Sequence, residues 1–508
     1  MFYAVIFFST LLLIFILVSS RWGRKPPKFP PGPRWYPIVG CALQIQLWRQ
    51  RLGMFCKVID LLAKKYVNPY GYYGLKIGKD KVVIAYTNDA INEMMTNEDI
   101  DGRPDGIFYR LRTFNSRLGV LLTDGEMWIE QRRFILRHLK NFGFARSGMM
   151  GIVNNEANCL LEDLKRKVRL EGGGVKAKLE MHDLTSVYVL NTLWCMLSGR
   201  RYEPGSPEIT ELLETFFELF KNIDMVGALF SHFPLLRFIA PDFSGYTGFV
   251  DSHRALYHFM SKEIELHRQS FRNYDEPRDL MDSYLRAQDE GNDPKGMFSD
   301  ESLLAICLDM FLAGSETTNK SLGFCFMHLV LQPEIQEKAF EEIKEHVGLD
   351  RIPEWSDRLK LPYCEAITME AVRFFMLHTF GIPHRAVCHT RLSGYEIPKD
   401  TMVIACFRGM LINPIDFPEP LTFDPTRYLI DGQLKLPEAF NPFGFGRHRC
   451  MGDLLGRQNL FMFTTTVLQN FKLVALPDQM PEEVPLEGAT AAVKPYDVML
   501  YPREGVKI

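Results

Sequence analysis

Apolar and polar positions along the chain change their spacing in a way that predicts its elements. From Phe2 to Ser20 nineteen residues carry no charge, close to the ~20 a helix needs to cross a bilayer core. Arg21, Arg24, Lys25 and Lys28 follow at once, and positive charge on that flank keeps the following domain cytoplasmic. No basic region precedes the apolar run and no small-residue cleavage site follows it, so a removable signal peptide fits poorly. Residues 1–20 are therefore expected to form one transmembrane signal-anchor helix. Residues 21–36 form a basic linker whose Pro26-Pro27 and Phe29-Pro30-Pro31-Gly32-Pro33 favour an extended, semi-rigid spacer. The rest, 37–508, reads as one large body.

Within that body, Gly74 to Tyr86 sets Leu75, Ile77, Val82, Val83, Ile84 and Ala85 around a Gly78-Lys79-Asp80 turn, the pattern of a β-hairpin. Its Gly74-x-x-x-Gly78-Lys79 is one residue short of a phosphate loop and is rejected as one. Helical periods cover Glu126 to Lys140, Ile209 to Phe220 and Leu256 to His267, and Gly172-Gly173-Gly174 marks a loop tip. The longest helical run, Asp300 to Leu331, stops before Pro333 and at 1.5 Å per residue would be about 48 Å long. Its first half, with Leu303, Leu304, Ile306, Met310, Phe311 and Leu312, is apolar on nearly all sides, as a buried central helix is. After Tyr395 come short strands and Pro-rich loops, then a last helix from Gly452 to about Phe471 and a tail of loop and strand.

Composition narrows the function. With 46% hydrophobic and 24% charged residues the chain can bury a large core and lacks the bias of disorder. A net charge of -3 gives no whole-chain cationic field, which disfavours a nucleic-acid partner. Ten cysteines without a C-x-x-C pair argue against a zinc ribbon or a secreted disulfide scaffold and suit the reducing side of a membrane.

The most informative stretch is Phe443-Gly444-Phe445-Gly446-Arg447-His448-Arg449-Cys450-Met451-Gly452. A thiolate needs its charge stabilised, and glycine-relieved backbone at a helix N-terminus can bring N–H donors to the sulfur. A lone cysteine in a Gly-rich turn would more simply be structural, but ten patterned residues outweigh that reading. The stretch resembles the haem-binding loop of cytochromes P-450, F-x-x-G-x-(R/H)-x-C-x-G. The resemblance implies a mainly α fold with a small β-rich lobe, and haem b (iron protoporphyrin IX) whose iron takes Cys450 as axial ligand, with Phe443 and Gly446 shaping the loop. It extends over essentially all 508 residues, in family order.

Further segments carry the same resemblance. Ala313-Gly314-Ser315-Glu316-Thr317-Thr318 places glycine and an acid inside an apolar helix, a local violation expected at functional sites. In the family this segment bends over the iron, which implies that Thr317 and Glu316 help deliver protons to dioxygen. Glu370-x-x-Arg373 puts opposite charges on one helix face, and Phe423-Asp424-Pro425-Thr426-Arg427-Tyr428 matches the family's arginine loop, so Glu370, Arg373 and Arg427 take a structural role. Trp128-x-x-x-Arg132 matches the family's W-x-x-x-R. With His384, His448 and Arg103 this pair is expected to face the haem propionates, whose burial calls for cations or N–H donors. Most relatives have arginine where His448 stands.

No G-x-G-x-x-G opens a helix after a strand, so electrons must come from another protein. Arg133, Arg137 and Lys140 on one helical stripe, with Arg447 and Arg449 beside Cys450, offer a basic face to an acidic partner. In a microsomal member that partner is NADPH–cytochrome reductase, and in texture the chain resembles an insect microsomal member held in the endoplasmic reticulum membrane. By the same resemblance, segments near Ile107 to Leu122, Phe216 to Phe243, Leu304 to Thr317, His378 to Pro383 and Glu487 to Ala492 line a pocket for an apolar substrate, a steroid or terpenoid hormone among the candidates. The expected reaction is hydroxylation or epoxidation with O2. A haem-thiolate isomerase or dehydratase, and a non-catalytic haem protein, are the alternatives at this stage.

Overall fold

The computed structural model describes residues 24–508 apart from 68, 145–146, 222, 224, 275 and 291–295. The expected anchor at 1–20 lies outside the described residues, and among those described no helix is long and apolar enough to cross a membrane.

Four helices position the site: α1 (Gly125–Asn141), α2 (Asp300–Leu331), α3 (Pro362–His378) and α4 (Asp453–Asn470). The ends of α2 follow from local chemistry. Ser299 caps it by accepting from Ser302 N–H, Asp300 and Glu301 occupy the positive first turn, and Pro333 stands just past its last residue. It packs against α3, α4, Ser186–Ser198 and Tyr246–Ser270, so it is the axle of the helical body. On α1 the apolar period buries Trp128, Gln131, Ile135 and Leu139, which leaves Arg133, Arg137 and Lys140 exposed on the opposite side.

The hairpin forms as expected from β1 (Tyr72–Ile77) and β2 (Asp80–Ala85), with Gly78 at φ 54° in the turn. β4 (Met402–Ala405) joins β2 in parallel, Val82 opposite Met402, and the two-residue β3 (His384–Arg385) pairs antiparallel with β4, giving the sheet order β1-β2-β4-β3. The proline-rich segment lies against this sheet. Gly74 N–H donates to Pro31 O at 2.6 Å, and Phe29 and Trp35 are buried in an edge-to-face pair with centroids 5.4 Å apart. A second sheet joins Phe471–Ala475, Asp497–Pro502 and Ala177–Glu180. The period missed short helices such as Ile107–Leu111 and Phe407–Leu411, because five residues make too little of a turn pattern to stand out.

A costly position on α2 is His328. It is stacked on Phe423 at 4.4 Å and 12°, neither ring nitrogen has a hydrogen-bond partner, and burial pushes the imidazole down to about 3. The folded value lies below the ordinary 6.5, so the unfolded chain takes up the proton first. The stability that neutral His328 supports is complete above that ordinary value and is lost as pH falls towards 3. His328→Phe removes two unsatisfied atoms and keeps the stacking. It should raise stability by about 1–3 kcal/mol and flatten the loss of stability below neutrality, as urea unfolding midpoints measured across that range would show.

Candidate functional site

From Ser302 to Val330, α2 is buried except at Leu304, Ala313, Gly314 and Thr317, and the fully exposed pair, Ala313 and Thr317, lies i, i+4 on one face. Exposure in the middle of a buried helix marks an internal cleft. α4 runs close by, since a Cβ on Gly456 would lie 3.6 Å from Thr318 Oγ1. Cys450, just ahead of α4, is also exposed.

The cysteine loop is built by backbone bonds. Cys450 N–H donates to Phe443 O at 3.0 Å, and Gly444 N–H to Asn441 O at 3.1 Å. Gly446 sits at φ 64°, and a Cβ there would fall 2.5 Å from Met95 O, so only glycine allows both the turn and the approach. Protein crowds the thiol on its remaining sides, and burial pushes Cys450 up. The Gly452 N–H and the charges of Arg132 and Arg449 oppose this, while Asp453 adds to it. Peptide dipoles alone therefore do not ionise the sulfur, whereas a coordinated metal ion deprotonates a thiol outright.

The cations expected around the cleft do come together. Trp128 and His448 rings lie 4.1 Å apart, His448 and His384 5.3 Å, and the Arg132 guanidinium 5.5 Å from the Trp128 ring. Several of their donors are already used. The Trp128 indole N–H donates to Val120 O at 3.2 Å, and one Arg132 N–H to Arg449 O at 2.6 Å. Since a carbonyl only accepts, His384 Nδ1 carries its proton towards Ile100 O, and His448 Nε2 towards Asp101 O, both at 3.0 Å. Burial pushes both imidazoles down, His384 strongly, and Arg103 adds to this in each case. Each neutral ring then offers an incoming anion only a lone pair, and a second proton is needed before it can donate. Arg103 is buried, donates through Nη1 to Ile382 O and Pro383 O at 3.1 Å each, and has its Nε without a partner; burial pulls it down to about 10. A buried guanidinium with an orphaned donor, a second guanidinium half-buried beside it and two imidazoles that can each take up a further proton fit a group that brings carboxylates, as haem does.

Beneath the loop, Glu370 and Arg373 have no exposed side-chain surface. Glu370 accepts from Arg373 Nε and Nη2 at 2.8 and 2.7 Å, from Arg427 Nε at 3.1 Å, from Asp424 N–H at 3.1 Å and from Tyr428 O–H at 2.7 Å. Arg373 and Arg427 in turn donate to Pro420 O and Pro418 O at 2.7 and 2.6 Å. The stretch 418–428 is thereby clamped to α3.

On α2, Thr317 hydroxyl donates to Ala313 O at 2.8 Å on the open face. Glu316 lies a step round the helix on the buried side, where its Oε2 stands 3.9 Å from Lys320 Nζ and lacks a hydrogen bond. The five segments expected to line a pocket also meet. Phe216 stacks on Phe311 at 4.4 Å, Ala489 N–H donates to Phe220 O at 2.9 Å, Ala491 N–H to Thr379 Oγ1 at 3.4 Å, and Asp309 accepts from Arg112, Val120 N–H and Leu121 N–H.

A family model described as cytochrome P-450 matches residues 30–500. The chain belongs to the cytochrome P-450 family. It is 84% identical to probable cytochrome P-450 303a1 of Drosophila melanogaster, over 99% of this chain and 100% of that one. Farnesoate epoxidase of Bombyx mori is 32% identical over 98% of both chains, and cytochrome P-450 2B4 of Oryctolagus cuniculus 31% over 96% of this chain and 98% of its own. The protein is thus a P-450 monooxygenase that binds haem b, in a mainly helical P-450 fold with small sheets.

Sequence reasoning missed Asp101, which accepts from Arg447 Nη1 at 2.9 Å and from His448, and Tyr428, which completes the shell of Glu370. Only the aromatic directly after Arg427 hinted at the second. Glu370→Gln leaves the buried Arg373 short of its counter-charge and should cost about 3–5 kcal/mol. The expected result is a clear drop in the haem-loaded fraction and in the urea midpoint of purified protein, with Glu370→Asp intermediate.

Proposed function

We propose that this P-450 hydroxylates or epoxidises a small lipophilic substrate of steroid or terpenoid type, using electrons from NADPH–cytochrome reductase at the endoplasmic reticulum membrane. The observation that carries this reading is the pair Ala313 and Thr317, exposed within an otherwise buried helix that packs against α4, the helix directly after the exposed Cys450. Cys450 would hold the iron, and Arg132, Arg103, His384, His448 and Trp128 would lie towards the propionates, with Phe443 and Gly446 shaping the loop. Glu370, Arg373 and Arg427 hold that loop in place. Bound haem supplies dioxygen binding and O–O cleavage, which a thiolate ligand favours. Thr317 keeps its hydroxyl at the cleft edge by bonding back to Ala313, and Glu316 next to it is an acid whose burial raises it above the usual range and so lets it hold a proton.

Substrate class is supported by the aromatic and aliphatic wall around Phe216 and Phe311, and by the farnesoate, a terpenoid, in the name of the Bombyx relative. Membrane placement is supported by the uncharged run from Phe2 to Ser20 and by exposed Leu235, Phe238, Ile239 and Phe243, with Ile38, Leu43 and Leu47. These two exposed groups adjoin the same turn, since Gly78 N–H donates to Val39 O and Lys79 N–H to His232 O. The reductase finds its basic docking face in exposed Arg133, Arg137, Lys140, Arg447 and Arg449.

The test is reconstitution with reductase and NADPH in a lipid extract, following products for the gain of one oxygen. Cys450→Ala should abolish the carbon-monoxide absorption band of thiolate-ligated haem and all turnover; a retained band would overturn the assignment. Thr317→Ala should keep the band and release several-fold more peroxide per NADPH.

A further inference from the structure

Behind the open face of α2 a file of titratable groups leads from the cleft towards solvent. Lys320, buried one turn beyond Glu316, puts Nζ 3.9 Å from Glu316 Oε2 and 3.2 Å from Asp183 Oδ1. Asp183 Oδ2 lies 3.0 Å from His182 Nε2, and His182 Nδ1 lies 3.2 Å from Glu180, whose side chain is 66% exposed. Asn319 Nδ2 donates to Asp183 Oδ1 at 3.1 Å and accepts from Thr185 through its own Oδ1 at 2.7 Å, so the carboxylate is held on the α2 side. The Phe217 ring covers Lys320 at 5.6 Å.

A buried ammonium is costly, and α2 would be a simpler helix with an apolar residue there. Lys320 does not complete the shell of Glu316 either: the gap is too long for a hydrogen bond, and Oε2 stays orphaned while Nζ leans to Asp183. Passing a proton on requires the carboxyl to turn from Lys320 towards the cleft.

We propose that Lys320 is the proton carrier through which Glu316 is reprotonated from the half-buried pair Asp183 and His182. The inference rests on the proton-delivering role read for Thr317 and Glu316. After Glu316 gives its proton towards the cleft, its carboxylate turns to Lys320 and takes an N–H proton. Asp183 then takes a proton from the His182 imidazolium and passes it to the neutral Lys320 amine, and His182 regains its proton from water. One proton crosses, no electrons move, and only N–H and O–H bonds form and break. The charges acting on these groups are those of the file itself: Glu316 and Asp183 on Lys320, Lys320 and His182 on Asp183, and Asp183, Glu180 and Lys320 on His182. His182 is raised by Asp183, and Asp183 is held well below the usual carboxylate range although burial opposes it, so the outer pair rests as an ion pair whose imidazolium carries the proton to be passed inward.

The experiment uses full-length, haem-loaded protein. Infrared spectra of the ferric protein, with Glu316→Gln to assign the carboxyl band, report the Glu316 titration directly. In Lys320→Met its midpoint should move to higher pH; in Lys320→Arg it should stay near that of wild type. With reductase and NADPH and no added substrate, NADPH oxidation is compared in H2O and D2O. Because guanidinium holds its protons too tightly to pass one on, both Lys320→Met and Lys320→Arg should slow oxidation about tenfold or more and enlarge the solvent isotope effect. His182→Gln should do so more weakly. Wild-type rates and isotope effects in Lys320→Arg would overturn the inference by reducing Lys320 to a fixed counter-charge. Thr317→Ala and Glu316→Gln run alongside: unchanged peroxide release in both would instead sink the proton-delivery reading.

Discussion

A carboxylate with no exposed surface is stable only when its oxygens are fully occupied, and Glu370 meets that demand with two guanidinium groups, a phenol and a peptide N–H. Three of those donors come from the stretch 424–428, so the charge on α3 cannot be satisfied unless that stretch lies across it. Arg373 and Arg427 carry the constraint further by binding carbonyls at Pro418, Pro420 and Thr422. The stretch 418–428 is therefore fixed to α3 by electrostatics and not by packing alone.

Helix α2 combines two roles that usually exclude each other. It is a core helix, with neighbours on every side, and it also opens a face on a cleft. Gly314 allows Leu193 of Ser186–Ser198 to come within 2.3 Å of where a Cβ would stand, so the helix is pressed close on one side while Ala313 and Thr317 remain open on another. Asp309, two turns earlier, draws in the backbone of Val120 and Leu121, with Gly119 at φ 84° because a Cβ there would meet the carboxylate at 2.2 Å. The wall of the pocket is thus tied to the same helix that carries the polar groups of the cleft.

Elements set by local chemistry were legible in the sequence. The Pro333 stop bounds α2, the Gly78 turn fixes the hairpin, and the glycines around Cys450 announce a loop that only certain backbone angles can make. What stayed hidden depends on residues far apart in the chain. Asp101 meets His448 and Arg447, and Asp183 meets Lys320, through tertiary packing that leaves no period behind. Hydrogen-bond direction was equally invisible: Trp128 and Arg132 read as donors to an anion, yet the indole N–H is taken by Val120 O, and the tautomers of His384 and His448 are set by neighbouring carbonyls.

The parallel pairing of β2 with β4, which sets Val82 beside Met402, brings together parts of the chain made long apart during synthesis. Closing so large a loop is slow and gives nothing back until both strands exist. On a ribosome, the hairpin would wait with one edge open until most of the body had emerged, and the walls around Cys450 would come together later still. Cofactor capture would then be among the last events of maturation, and an unpaired β2 edge in the waiting hairpin is where a chaperone, or another nascent chain, would find its hold.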